Sequence, residues 1–145
     1  MINQTTETSL ANELRPVLLR LTRELRRETE QFGITGRQAT LLWLVKGSPG
    51  LTLRALAEME GISPPALSGH VDRLERSGLL VRARSTEDRR RVGLELTQEG
   101  ERILRSVRER RTAWLAERLA ALDPAAFDAI AAAIEPLREL LGVKR

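Results

Sequence analysis

The stretch Gly61–Gly78, GISPPALSGHVDRLERSG, decides how the chain is read. At about 100° per residue, Leu67, Val71 and Leu74 fall on one helical face. Pro65, Ala66, Gly69, Asp72, Arg73 and Arg76 fall on the other. Ser63 is a good N-cap, since its hydroxyl can accept from a first-turn amide, and Pro64 suits the first helical position, where no amide partner is needed. Gly78 can close the helix in a left-handed conformation. The outward face is unusual in its N-terminal half, which is small, nearly flat and uncharged where a merely solvated helix carries long Lys and Glu side chains. A backbone with such a face can come close to another surface.

The preceding segments supply a support for this helix. Leu10, Leu14, Val17, Leu18, Leu21 and Leu25 recur at helical spacing from about Ser9 to Phe32, with Pro16 expected to kink the helix or to delay its start to about Arg15. Thr35 can cap a second helix through GRQATLLWLVKG, apolar enough to be buried on more than one side. Ser48 to Gly50 reads as a turn, and Thr52 can cap a short third helix, LRALAEMEG, ended by Gly61. A short helix, a glycine-containing turn and a second helix with a small exposed face match a helix-turn-helix.

The segments C-terminal to Gly78 strengthen that match. LLVRARS and VGLEL alternate as strands, and the polar TEDRRR between them makes a hairpin with Arg89, Arg90 and Arg91 at its tip, which is a wing. Thr97 can cap a long charged helix from about Gln98 to Leu122, and Asp123 with Pro124 opens a last, apolar helix through about Leu141. Phe127, Ile130, Ile134 and Leu137 on that helix need a cover that one winged domain does not supply, so a homodimer is expected.

Composition narrows the chemistry. The chain has 145 residues and no cysteine, which excludes disulfides, thiol nucleophiles and the common structural zinc sites. Its one histidine builds no metal site alone, and no cofactor is expected. Ser68, His70 and Asp72 do not form a hydrolytic triad, because residues two apart on a helix point to different sides. The segment MINQTTETSL lacks a basic stretch followed by an apolar core, and no apolar run is long enough to span a membrane, so a cytoplasmic, nucleoid-associated protein is expected. Net charge is +4, and residues 63–91 contribute +3 of it. Only Lys46 and Lys144 are lysine, so the positive charge is nearly all arginine, which suits phosphate and guanine contacts.

These strings resemble the MarR family of bacterial transcription regulators: TGRQATLLWLV, then ISPPALSGHVDRLERSGLLVRAR, then TEDRRRVGLELTQEG, in order and at family spacing. The resemblance covers nearly the whole chain. It implies a mainly α fold with a small β-hairpin wing, in which a winged helix-turn-helix lobe at 33–96 lies between dimerisation helices at 9–32 and 97–141 of one 1–145 domain. It also implies a homodimer on pseudo-palindromic double-stranded DNA, usually a repressor released by a small aromatic or anionic effector.

Carried over by position, DNA contacts fall on Ser63, Pro65, Ala66, Ser68 and Gly69, with Arg73 on the backbone, Arg90 in the minor groove and Asp88 bracing it. Many relatives carry a longer side chain at the Gly69 position, which shifts readout toward Ser68, the wing or DNA shape. Arg15, Trp43 and Trp114 are the candidate effector-pocket residues, with core or interface packing as the alternative for both tryptophans. Two other functions share this fold: an architectural protein without an effector, indifferent to operator over random DNA, and a protein-interaction adaptor without DNA affinity.

Overall fold

The computed structural model describes residues 5–84 and 91–142. The elements run α1 (Thr6–Glu30), α2 (Gly36–Gly47), α3 (Leu53–Glu60), α4 (Pro64–Arg76), β1 (Leu80–Arg84), β2 (Val92–Leu96), α5 (Gln98–Ala120) and α6 (Pro124–Leu140). The chain packs as two compact units, Met1–Arg111 and Thr112–Arg145.

Each helix begins where a side chain can take up a free amide. Thr5, Thr35, Thr52, Ser63 and Asp123 each accept from a backbone N–H three residues on. At Thr35 the cap is reciprocal, because Gln38 Oε1 also accepts from the Thr35 amide at 2.9 Å. Thr5 moves the start of α1 back to Thr6, and the helix runs on through Pro16, which corrects the expected later start. One missing amide in a 25-residue helix is outweighed by the turns on either side. Gly61 ends α3 at φ 63°, a conformation costly for side chains with a Cβ, and lets α4 leave in a new direction.

The core belongs to the first unit. Leu41, Leu42 and Val45 of α2, Leu56 of α3, Leu67, Val71 and Leu74 of α4, Leu80 and Leu94 of the hairpin, and Leu104 and Val107 of α5 are all buried. Trp43 departs from the expected burial of α2 and is exposed. The hairpin is antiparallel, in register from Leu80↔Leu96 to Arg84↔Val92. Residues 51–52 add an isolated bridge beside the hairpin that the alternation did not foresee, through the Leu94 amide to Leu51 O at 2.8 Å and a Thr52↔Gly93 pairing.

Arg111 ties α5 to the end of α1. Its Nε and Nη2 donate to Thr29 Oγ1 at 3.0 and 2.6 Å, and Nε also donates to Leu25 O at 3.2 Å. Thr29 is fully buried. Burial, with Arg26 as a lesser cause, lowers the Arg111 pKa from its ordinary value.

In the second unit α6 buries none of its described residues, and Phe127, Ile130 and Ile134 stand exposed on it. No helix among the described residues is long and apolar enough to cross a membrane.

The junction of lobe and α5 depends on one close approach. Thr97 Oγ1 donates to Gly78 O at 2.5 Å and accepts from the Gly100 amide at 3.0 Å, while the Thr97 amide donates to Leu79 O at 3.2 Å. A Cβ on Gly100 would overlap the Leu79 carbonyl oxygen, and backbone cannot swing aside as a side-chain tip can. Gly100→Ala should therefore cost about 2–3 kcal/mol despite alanine's better helix propensity. A denaturation midpoint equal to or above wild type would show that the crossing is looser than described.

Candidate nucleic-acid interface

Three side chains of α4 are fixed in the core and thereby aim the rest. Leu67, Val71 and Leu74 are each 1% exposed or less. On the opposite side Ser63, Pro65, Ala66 and Arg73 are exposed, while Ser68 and Gly69 are half-buried. An added Cβ at Gly69 would meet nothing within 4 Å, so neither packing nor backbone geometry calls for glycine there. The Arg73 guanidinium makes no hydrogen bond or ion pair among the described residues.

The first turn of α4 overturns one expectation. A helix N-terminus ordinarily offers free amides to phosphate. Here Pro64 and Pro65 have no N–H, the Ala66 amide donates to Ser63 Oγ at 3.3 Å, and the Leu67 amide donates to Ser63 O at 3.0 Å. No first-turn amide of α4 remains to meet a phosphate, and polar contact there must come from hydroxyls and arginines.

The wing stands beside this helix. Asp88 and Arg90 lie outside the described residues. Arg84 and Arg91, which flank that segment, are exposed. Arg82 points the other way, toward α4, with Nη2 donating to Asp72 Oδ1 at 2.8 Å and Nη1 to Glu75 Oε1 at 3.1 Å. Sequence reading missed this pair, although Arg82 shares the strand face of inward-pointing Leu80 and faces carboxylates three apart on a helix. His70 is half-buried, and its Nδ1 is buried with no hydrogen-bond partner among the described residues.

The candidate effector residues have different settings. Arg15 is exposed on α1 and donates to Asn12 Oδ1 at 3.3 Å. Trp43 is exposed, with Lys46 Nζ 5.8 Å from its ring centroid. Trp114 is 7% exposed, with the Arg118 guanidinium 3.7 Å from its ring centroid and Arg118 Nη1 donating to Trp114 O. Trp43 belongs to the first unit and Trp114 to the second.

An anchored helix with a small outward face, after a three-residue glycine turn and followed by an arginine-bearing hairpin, defines a winged helix-turn-helix DNA-binding transcription regulator. Known proteins agree. The MarR family model matches residues 32–91. A crystallised transcriptional regulator from Pseudomonas aeruginosa is 32% identical, with a TM-score of 0.80 over 98% of this chain and 99% of that one. A MarR family protein from Bacillus stearothermophilus is 25% identical, with a TM-score of 0.81 over 99% of this chain and all of that one. The HTH-type transcriptional regulator FarR of Neisseria gonorrhoeae is 34% identical over 101 residues, 70% of this chain and 62% of the relative. The chain belongs to the MarR family.

Gly69 separates a functional from a structural reading of α4. A Cβ at that site enters open space, and leucine in place of glycine raises helix propensity by up to about 1 kcal/mol. Gly69→Leu should thus melt at or above the wild-type temperature while binding target DNA at least about tenfold more weakly, because the added side chain holds the helix off the groove. Unchanged DNA affinity in a stably folded variant would place the contact surface elsewhere.

Proposed function

We propose that the protein is a homodimeric repressor that binds a pseudo-palindromic operator and releases it when a small aromatic or anionic ligand binds. The observation that carries the DNA-reading part is the exposed, uncharged N-terminal half of α4, on a helix whose opposite face is sealed in the core. Pro65, Ala66, Ser68 and Gly69 enter the major groove. Ser63 and Arg73 meet the phosphate backbone, and Arg90, braced by Asp88, enters the minor groove. Such contacts divide labour: arginines on phosphate supply affinity and salt dependence, whereas small side chains at base edges supply discrimination.

The dimer reading rests on apolar surface that the single chain leaves open. Leu10, Val17, Leu18 and Leu21 of α1 are exposed, as are Phe127, Ile130 and Ile134 of α6. Fully burying a side chain of this size is worth about 1.5–3 kcal/mol, so a helix such as α6 gains several-fold that amount from a cover. A twin presenting the same faces supplies one by two-fold symmetry. Two copies of α4 then reach successive major grooves about 34 Å apart.

Regulation follows from spacing. Arg15 and Trp43, both exposed on the first unit, are the side chains offered to a ligand, a cation and a ring suited to an aromatic acid, whereas Trp114 is buried. Binding there releases DNA only if the ligand prefers a lobe spacing different from the one DNA requires.

The dimer is tested by charging its proposed seam. Ile130→Glu/Ile134→Glu should sediment as a folded monomer where wild type is a dimer, and lose at least about tenfold in operator affinity because two half-sites no longer bind as one. A variant that stays dimeric, or a monomer with full operator affinity, would overturn this reading.

A further inference from the structure

The reading of α4 and the wing as the DNA interface leaves Asp72 and Glu75 unexplained. Both are only partly shielded, with side chains 49% and 39% exposed, and they sit among Arg73 and Arg76 on a helix meant to lie against a polyanion. Carboxylates there repel phosphate, so a helix serving DNA affinity alone does better without them.

Arg82 accounts for their presence. Its two terminal nitrogens divide between the two carboxylates, Nη2 to Asp72 at 2.8 Å and Nη1 to Glu75 at 3.1 Å, so one planar group spans two points of α4 three residues apart. A two-point attachment fixes orientation as well as distance. Arg82 sits in mid-strand opposite Leu94, and Leu94 is buried and bonded through its amide to Leu51. The hairpin is therefore held at its base by the core and at its middle by the fork. Arg84, the last residue of β1, lies about 7 Å beyond Arg82 at the usual rise per residue. Any tilt of the hairpin about its base moves the wing arginines relative to α4, and the fork resists that tilt.

Partly exposed ion pairs add little to folding stability. Their value lies in holding a geometry before the partner arrives, which removes an ordering cost from association. We propose that Arg82, clamped between Asp72 and Glu75, is a positioning residue for DNA binding: it touches no DNA itself and sets the angle between recognition helix and wing, so that both grooves are engaged together. This assignment rests on the DNA-reading role proposed for α4 and the wing.

A double-mutant cycle tests it, with wild-type protein first used to select a duplex of about 30 base pairs from a randomised pool, long enough for two half-sites. Arg82→Gln should melt within about 3 °C of wild type and bind the selected duplex about tenfold more weakly in fluorescence anisotropy. Arg91→Ala should weaken binding about fivefold in the wild-type background and less than twofold in the Arg82→Gln background, because a wing already out of position has little left to lose. Asp72→Asn/Glu75→Gln breaks the clamp from the helix side and should abolish the same coupling; it carries the cycle if Arg82→Gln fails to fold. Independent, multiplying losses, or wild-type affinity in Arg82→Gln, would overturn the clamp while leaving the DNA-reading role standing. Failure of wild type to prefer its selected duplex over random DNA would remove that role and the clamp's function with it.

Discussion

The burial of Leu67, Val71 and Leu74 is the constraint on which the structure turns. All three are essentially inaccessible to water. Each contributes about 1.5–3 kcal/mol when fully buried, so rotating α4 about its axis to present another face would forfeit most of that sum. No comparable force acts on the outward side, where Gly69 meets nothing and Pro65 and Ala66 are exposed. The helix is therefore rigid in orientation and free in surface chemistry. A scaffold that reads DNA needs that separation, since its recognition face can then change without loss of the fold.

The same division of roles appears in the loops that hold α4. Gly61 turns the chain out of α3 in a left-handed conformation, and Ser63 with two prolines starts α4 within three residues. The prolines make the first turn stiff, and they also remove the amides that would otherwise bind phosphate. Affinity for the DNA backbone is thereby shifted onto arginine side chains, whose contribution is salt-dependent. Residues 63–91 hold most of the net positive charge, in keeping with that shift.

Much of this was legible in the sequence because it depends on local rules. Caps at Thr35, Thr52, Ser63 and Asp123, the apolar face of α4 and the alternation of Val92, Leu94 and Leu96 are each set by residues a few positions apart. What escaped depends on distant contacts. The start of α1 at Thr6 is decided by the Thr5 cap against Pro16, a competition of magnitudes that pattern alone does not weigh. The bridge of Leu51 and Thr52 to β2 forms because Gly93 lets Gly50 come close, a Cβ on Gly93 falling 3.1 Å from Gly50 Cα. The role of Arg82 is invisible until α4 and β1 are seen side by side, and Trp43 was expected inside because its neighbours are, although it faces out.

Because the chain has no cysteine, a single one can be placed and labelled without interference. Arg76→Cys carrying a hydroxyl-radical-generating iron chelate places a cutting agent at the exposed C-terminal end of α4, clear of the residues assigned to the groove. On the operator the account predicts two symmetry-related clusters of strand cleavage centred in major grooves about 34 Å apart. Cleavage at a single site, or scattered cuts with no groove preference while the protein stays bound, would contradict it.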